Sequence, residues 1–259
     1  MNQLMLGMIG MLGMASACAS ASASHPLADS KSAVKNIVIV HGAFADGSGW
    51  EAVYRILTND GYHVTIVQNP LTSLDADVTA TRNVLANQNG LVVLVGHSYG
   101  GAVITQAGND AKVQSLVYVA AYVPDAGESV GDLLTKADKS IPAPPILIDP
   151  KKGIALIDRE KFADAFAADI DPAKAEFLAA SQAPLGLAAV STPLTQAAWK
   201  TKPSYYIVAS DDHMIPAVDE RKFAEKAKAI EQFEIKSSHA VFISHPDQVA
   251  NVIEKAASR

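Results

Sequence analysis

Short apolar runs rich in β-branched residues recur along this chain, and they limit its fold more than any other feature. Ile37 to Val40 is the first such run, and it ends at His41-Gly42. A strand that is apolar along its whole length is typical of a parallel sheet covered on both faces. Comparable runs occur at His63 to Val67, Leu91 to Val95, Val113 to Ala120, Tyr205 to Ala209 and, more weakly, Phe233 to Ile235. The sequence therefore predicts a mostly parallel central sheet.

Helical patterns separate these predicted strands. The clearest apolar faces are Leu74, Val78, Thr81 and Leu85 on one helix, and Phe223, Ala227 and Ile230 on another. Strands that alternate with amphipathic helices indicate a doubly wound α/β sheet, in which the helices cross from strand to strand in the right-handed sense.

The alternation stops between about residues 125 and 203, where prolines punctuate short Ala-rich segments. They are Pro142, Pro144, Pro145, Pro150, Pro172, Pro184 and Pro193. Because proline disrupts both helices and β-ladders, we do not expect this stretch to form sheet. Its apolar residues, among them Phe162, Phe166 and Trp199, favour an ordered insertion over a disordered one. We therefore predict a small helical cap inserted after a core strand.

Composition narrows the class of protein further. A length of 259 residues with 49% hydrophobic residues fits one globular domain. The 21 basic and 27 acidic residues give a net charge of -6, which argues against nucleic acid or an anionic membrane as the main partner. Cys18 is the only cysteine, so no intrachain disulfide can form. No metal-ligand spacing is visible, and we expect neither a metal nor an organic cofactor.

The N-terminal segment has the pattern of a secretory signal. The first thirty residues contain no Lys or Arg, and the apolar run Leu4 to Met14 precedes small Ala and Ser residues. Cleavage sites of the A-x-A type near Ala19 to Ser24 predict a signal peptide over residues 1–24 and a mature domain over 25–259. The run is too short to span a membrane, so we expect an exported protein, periplasmic or secreted. A disordered or misannotated start and lipid attachment at Cys18 are the alternatives.

A serine motif follows one of the predicted strands. Gly96-His97-Ser98-Tyr99-Gly100-Gly101 comes directly after Leu91 to Val95 and before the helix-like stretch Ala102 to Ala107. The pattern G-x-S-x-G between a strand and a helix is typical of a serine raised on a strained turn, where only small neighbours leave room. The helix start also directs backbone N–H groups toward developing negative charge. Ser98 is therefore the candidate nucleophile, and a tight turn without catalysis is the alternative.

Two later segments supply the other groups that a serine nucleophile needs. In proteins with this elbow, the chain order is Ser, then Asp or Glu, then His. Asp211 and Asp212 follow the predicted strand Tyr205 to Ala209, and His239 follows the last predicted strand. His239 would accept the serine proton, while a carboxylate would fix its tautomer and stabilise the imidazolium.

The remaining histidines have weaker positions. His213 is an alternative base, but a direct neighbour of Asp212 on the same loop points elsewhere. His41 at the end of the first strand and His97 beside the serine are expected to be structural or pocket-lining.

From Asn36 to the C-terminus the chain resembles the α/β-hydrolase superfamily, and more narrowly the small plant-type methylesterases and hydroxynitrile lyases with their bacterial relatives. The segments that carry the resemblance are His41-Gly42-Ala43-Phe44, Gly96 to Gly101, Val117 to Asp125, Asp212 to Pro216 and Ser238-His239-Ala240. The resemblance implies the α/β-hydrolase fold and a hydrolytic activity.

The resemblance also assigns individual residues. The family's acid is commonly the Asp of a D-x-x-I/V-P segment, which falls on Asp212, with Asp211 as the alternative. An oxyanion hole needs two N–H donors, and these would be the backbone N–H of Tyr99, directly after the nucleophile, and that of Ala43.

The reaction is less fully determined than the fold. This scaffold also hosts hydroxynitrile lyases and cofactor-free perhydrolases, and a hydrolase fold can serve as a non-catalytic binding protein. Plant lyases carry a Thr after the strand-end His and a Lys after the catalytic His, whereas this chain has Gly42 and Ala240 there. We therefore predict cleavage of a carboxylic ester through an acyl-enzyme.

The expected partner is a small-molecule ester held in a mostly apolar pocket. Phe44, Trp50 and Tyr122, together with Tyr99, are the candidate lining residues.

Overall fold

The computed structural model describes residues 34–259, and within that range the chain forms nine strands and ten α-helices. The strands are β1 (Asn36–Val40), β2 (His63–Val67), β3 (Val92–His97), β4 (Val113–Val119), β5 (Ile146–Asp149), β6 (Ile154–Ile157), β7 (Leu185–Gly186), β8 (Ser204–Ala209) and β9 (Glu231–Ile235). The helices are α1 (Glu51–Asn59), α2 (Leu74–Ala86), α3 (Gly100–Ala107), α4 (Val130–Thr135), α5 (Phe162–Phe166), α6 (Pro172–Ala180), α7 (Leu187–Ser191), α8 (Ala217–Lys226), α9 (Val241–Ser244) and α10 (Pro246–Ala257).

Six parallel strands form the central sheet, in the order β2-β1-β3-β4-β8-β9. Every residue of β1 and β3 is buried, as expected for strands with helices on both faces. Helix α1 packs against α10, and α2 packs against α3. The predicted doubly wound, mostly parallel sheet is confirmed.

The register of the sheet places several loops at one edge. Val40 at the end of β1 is level with Gly96 of β3, and Gly96 is level with Tyr118 of β4. Ala209 of β8 is level with Ile235 of β9 in the same way. Because all these strands run parallel, the segments that follow them emerge at the same edge, where binding sites form in open α/β sheets.

The insertion is ordered, but the prediction that it carries no sheet is wrong. β5, β6 and β7 form a three-stranded antiparallel sheet within it, alongside the short helices α4 to α7. The prolines border these strands: Pro145 directly precedes β5, Pro150 directly follows it and Pro184 directly precedes β7. A proline at a strand end removes no ladder hydrogen bond, so the strands between them can pair.

One of the two predicted helix faces differs from the structure. Leu74, Val78, Thr81 and Leu85 are all buried along α2, as predicted. On the second helix, α8 ends at Lys226, and Ile230 is exposed. Lys228 turns the chain with a φ of +49°. The N–H of Ile230, directly before β9, then donates to the carbonyl of Ser204, the first residue of β8. The helix therefore ends before Ile230, because this residue is already hydrogen-bonded to the sheet.

The predicted signal peptide, residues 1–24, and Cys18 lie outside the described residues. Across residues 34–259, the structure contains no helix with the length and apolar character needed to cross a membrane.

Candidate active site

Ser98 stands on the turn between β3 and α3. Its φ of +51° lies in the left-handed region, which a residue with a side chain adopts only under constraint. The Ser98 N–H donates to the carbonyls of Val119 and Ala120, both at 3.2 Å, and its carbonyl accepts the N–H of Gly101 at 3.0 Å and that of Tyr122 at 3.2 Å. The end of the neighbouring strand β4 therefore holds the serine in its strained conformation.

The glycines around Ser98 are required by close backbone contacts. A Cβ on Gly96 would lie 2.6 Å from the Gly100 carbonyl oxygen, and a Cβ on Gly100 would lie 2.5 Å from the Val40 carbonyl oxygen. A Cβ on Gly101 would collide with the Tyr122 carbonyl oxygen. The G-x-S-x-G-G pattern thus records how tightly this turn packs between β1 and the segment after β4.

Asp212 and His239 form a buried pair beside this turn. His239 Nδ1 lies 2.5 Å from Asp212 Oδ2, and both residues are at most 2% exposed. Asp212 Oδ1 accepts the backbone N–H groups of Met214 at 2.6 Å and Ile215 at 2.9 Å, which fixes the carboxylate. With Nδ1–H bound to the carboxylate, Nε2 is the atom of His239 left to act as a base.

The alternative acid and base do not reach this pair. Asp211 is exposed, and its N–H donates to the Ser237 carbonyl. His213 is also exposed, and its Nδ1 donates to the Asp164 carbonyl at 2.8 Å. The structure therefore places Asp212, and not its neighbours, against His239.

His97 links the serine turn to the histidine loop. Its Nε2–H donates to the carbonyl of His239 at 2.9 Å, and the two imidazole centroids lie 4.6 Å apart. Burial lowers the pKa of His97 well below its ordinary value, so the ring is neutral. Trp50, Phe166 and Phe242 pack around it. His97 therefore has a structural role, because it supports the backbone of His239.

His41 shapes the loop that leads to Ala43. Its Nδ1–H donates to the Gly42 carbonyl at 2.8 Å, and its Nε2 accepts the Asn69 N–H at 2.9 Å. The Asn69 side chain donates in return to the His41 carbonyl at 2.9 Å. Burial lowers the pKa of His41, which keeps Nε2 unprotonated and able to accept this bond.

Ala43 and Tyr99 line one cavity together with Ser98. Within residues 34–259, neither of their backbone N–H groups donates to a backbone carbonyl. The hydrogen bonds that Ser98 makes with the described residues all run through its own backbone. Ser98 and the two residues that carry the candidate oxyanion donors therefore line the same cavity, and neither donor is bound to a backbone carbonyl of residues 34–259.

This cavity has a volume of about 160 Å³ and is mainly apolar. Its walls, besides these residues, are Phe44, Tyr122, Val130, Leu134, Pro144, Ile146, Ile148, Ala155, Leu185, Leu187, Val190, Met214 and Ile215. Most of these belong to the cap or follow β8. Phe44 and Tyr122 line the cavity, as predicted, and among residues 34–259 no Lys, Arg, Asp, Glu or His side chain lines it.

Trp50 does not line the cavity, and its assignment as a substrate-binding residue is corrected. It is fully buried and stacks on Phe242 with ring centroids 4.5 Å apart. Its position at the end of the 3-10 helix Gly47–Trp50 directs it into the core behind His97. An aromatic residue near a strand-end loop can lie either in the core or in the wall of a cavity, and the sequence alone does not distinguish these two positions.

Asp169 is a site residue that the sequence did not reveal. From the cap, its carboxylate accepts the Ser237 hydroxyl at 2.9 Å, and the Ser238 hydroxyl and N–H at 2.5 and 3.1 Å. The Phe166 carbonyl accepts the Ala240 N–H at 3.0 Å on the same side. The cap thus holds the backbone on both sides of His239. No sequence pattern connects Asp169 to this loop, because the contact depends on how the cap folds back.

No metal centre accompanies these groups in residues 34–259, where no cluster of three or more His, Cys, Asp or Glu side chains is arranged to hold an ion.

Comparison with known proteins supports the α/β fold described above. A model described as the Alpha/beta hydrolase family matches residues 37–252. An alpha/beta hydrolase of Aspergillus novofumigatus is 28% identical over 243 residues, which cover 85% of this chain and 96% of that protein. A carbendazim-hydrolysing esterase of Nocardioides sp. is 36% identical over 116 residues, which cover 39% of this chain and 48% of that protein.

Among solved structures, polyneuridine aldehyde esterase superimposes with a TM-score of 0.74 at 20% identity, over 86% of this chain and 98% of that chain. A likeness at this identity shows a shared fold.

Proposed function

We propose that this chain, which belongs to the alpha/beta hydrolase family, hydrolyses carboxylic esters through an acyl-enzyme formed on Ser98. The observation that carries the proposal is the buried Asp212–His239 pair beside the strained Ser98. Ser98 lines a cavity together with Ala43 and Tyr99, whose backbone N–H groups donate to no backbone carbonyl of residues 34–259. The relative of Nocardioides sp. is named an esterase, which supports the same chemistry.

Acylation would begin with proton transfer from Ser98 Oγ to His239 Nε2. The hydroxyl makes no bond to His239 in the free protein, and such contacts commonly tighten when substrate binds. Oγ attacks the ester carbonyl, and the oxyanion receives hydrogen bonds from the Ala43 and Tyr99 N–H groups. Asp212 stabilises the imidazolium, which then protonates the departing alkoxide.

Deacylation would repeat these steps with water as the nucleophile. His239 accepts a proton from water as the water oxygen attacks the acyl carbonyl. The tetrahedral intermediate uses the same two N–H donors and collapses to release the carboxylic acid, while His239 returns the proton to Ser98 Oγ.

The hydroxynitrile lyase alternative is disfavoured by the space around Gly42. A Cβ at this position would lie 2.8 Å from His97 Nδ1 and 2.9 Å from Ser98 Cβ, so a threonine cannot occupy it without displacement. Ala240 is fully buried, with its N–H bonded to the Phe166 carbonyl, and offers no place for a lysine side chain. The two positions that a plant-type lyase uses are thus closed by packing.

The substrate class we propose is a neutral ester with an apolar acyl group. A charged group in the cavity would lose its hydration without gaining a charged partner from the wall. Hydrolysis of 4-nitrophenyl butyrate should therefore exceed that of the charged mono-4-nitrophenyl succinate in kcat/KM.

The activity itself is tested with 4-nitrophenyl acetate on purified wild type and Ser98→Ala. We expect the variant to lose at least about 1,000-fold in kcat, as for removal of a nucleophile that acts with a base. Equal, slow hydrolysis by both proteins would contradict the proposal and favour a non-catalytic role. Release of cyanide from mandelonitrile above background would favour the lyase instead.

We also propose that the protein is exported. The support is the apolar run Leu4 to Met14 and the small residues that follow it. Intact-mass measurement on the mature protein tests this: a new N-terminus within Ala19 to Ser24 is expected. A chain beginning at a lipidated Cys18 would indicate a lipoprotein, and retention of residues 1–24 would contradict export.

A further inference from the structure

A second carboxyl group is buried beside the proposed triad. Glu220 on α8 is fully buried, and its side chain lies within hydrogen-bonding reach of Asp212. Its Oε2 accepts the Ala209 N–H at 2.9 Å. Its Oε1 is also buried and has no hydrogen-bond donor among residues 34–259.

Two adjacent buried carboxylates cannot both remain ionised, because each would repel the other in a poorly hydrated site. Asp212 accepts three hydrogen bonds, from the Met214 and Ile215 N–H groups and from His239 Nδ1. Within the described range, residues 34–259, Glu220 accepts one hydrogen bond, from the Ala209 N–H. Negative charge is therefore better stabilised on Asp212 than on Glu220.

Among residues 34–259, no Lys or Arg side chain forms an ion pair with either of these two carboxyl groups. The titratable or charged groups that face the pair, or lie next to it on α8, are His239, Tyr122, Tyr206, Asp219 and Arg221. Burial raises the pKa of both tyrosines, so they stay neutral. Arg221 instead pairs with Glu234, and Asp219 pairs with Lys222. Burial and then the charge of Asp212 raise the pKa of Glu220 well above its ordinary value.

We infer that Glu220 is a positioning residue, a neutral carboxylic acid whose Oε1–H donates a hydrogen bond to Asp212. An ionised carboxylate has about four acceptor sites, and three on Asp212 are already occupied. The Glu220 proton completes the set and satisfies the otherwise unpartnered Oε1. The inference rests on the proposed function only for its catalytic consequence, since the location of the proton is a property of the free protein.

The consequence concerns both orientation and charge. A fourth hydrogen bond holds the Asp212 carboxylate so that Oδ2 faces His239 Nδ1. Because Glu220 is neutral, the imidazolium formed during acylation faces one negative charge and not two. Glu220 therefore strengthens the geometry of the pair without making His239 harder to deprotonate.

Infrared spectroscopy tests the protonation state directly. A protonated carboxyl has a C=O stretch separated from the bands of carboxylates, and we expect such a band in wild type and in Ser98→Ala at neutral pH. This band should disappear in Glu220→Gln. It should persist in the matched control Glu225→Gln, which changes an exposed glutamate on the same helix. A spectrum without any band sensitive to Glu220→Gln would overturn the inference.

The pH profile gives a second readout, one that a merely structural role would not predict. Glutamine keeps an acceptor for Ala209 and a donor for Asp212, so Glu220→Gln should leave the acid limb of kcat/KM against pH in place. If Glu220 were ionised, removing its charge would destabilise the imidazolium and move that limb down by about one pH unit or more. Such a shift would overturn the inference.

Loss of the hydrogen bond is tested with Glu220→Met, which retains a long side chain but cannot donate. We expect kcat to fall about 10- to 100-fold with KM nearly unchanged, and Glu220→Gln to restore most of the rate. Equal loss in both variants would contradict the role of the donor. If wild type lacks esterase activity while the infrared band is present, the proposed function fails and the location of the proton stands.

Discussion

His97 donates its Nε2–H to the backbone carbonyl of His239 over 2.9 Å, so the residue next to the proposed nucleophile supports the loop of the proposed base. Both residues are buried, and their rings are in contact. The elbow and the histidine loop are therefore one packed unit, and their relative position depends on groups that take no part in the proposed proton transfer.

Replacing His97 tests this coupling. His97→Phe keeps an aromatic ring among Trp50, Phe166 and Phe242 but leaves the His239 carbonyl without its donor. We expect the free energy of unfolding to fall by about 1–3 kcal/mol and kcat to fall about tenfold or more. Chemical denaturation and steady-state kinetics measure these effects. His63→Phe, at an exposed position, is the matched control, and an unchanged kcat in His97→Phe would contradict the coupling.

The space around Gly42 gives a second prediction. In Gly42→Ala the new methyl group would press on His97 and Ser98, so we expect loss of most activity. Gly131→Ala on α4 is the control, because its Cβ would meet nothing closer than 3.4 Å. That change should leave activity intact and stabilise the helix by about 0.5–1 kcal/mol. Full activity in Gly42→Ala would show that the packing described around the serine is wrong.

The contact between the cap and the histidine loop predicts a pH-dependent stability. Burial alone would raise the pKa of Asp169, but hydrogen bonds from Ser238 and Ser237 lower it below its ordinary value. The carboxylate therefore stabilises the folded state at neutral pH, and this contribution is lost as the pH falls below about 4.

Asp169→Ala should lower the free energy of unfolding at pH 7 by about 1–3 kcal/mol, and the difference from wild type should narrow in acid. Denaturant titrations at several pH values measure it. Asp247→Ala, which removes an exposed carboxylate on α10, should cost less. A difference that is constant from pH 7 to the acid range would contradict the assigned ionisation.

Local sequence patterns were sufficient where structure follows from local chemistry. The apolar runs gave the parallel sheet, because a strand with helices on both faces must be apolar throughout. The elbow, Asp212 and His239 were found from their order after predicted strands, and the structure brings Asp212 and His239 into contact.

Tertiary contacts account for what the sequence did not predict. β6 pairs with β5 and β7 although prolines surround them, since nothing local indicates which strands meet. Trp50 and Phe44 are equally plausible pocket residues in the sequence. In the fold, Trp50 stacks on Phe242 in the core, whereas Phe44 lies in the cavity wall. Asp169 and Glu220 are ordinary acidic residues until the fold places them against the loops that carry His239 and Asp212.

The central claim is that Ser98 is a nucleophile activated by His239. The most direct test is to treat the protein with diethyl 4-nitrophenyl phosphate and map the modified peptide by mass spectrometry. We predict one diethylphosphoryl group, on Ser98, with none on Ser98→Ala and labelling of His239→Ala slowed by at least about 1,000-fold. Modification of another residue, or equal labelling of all three proteins, would contradict the account.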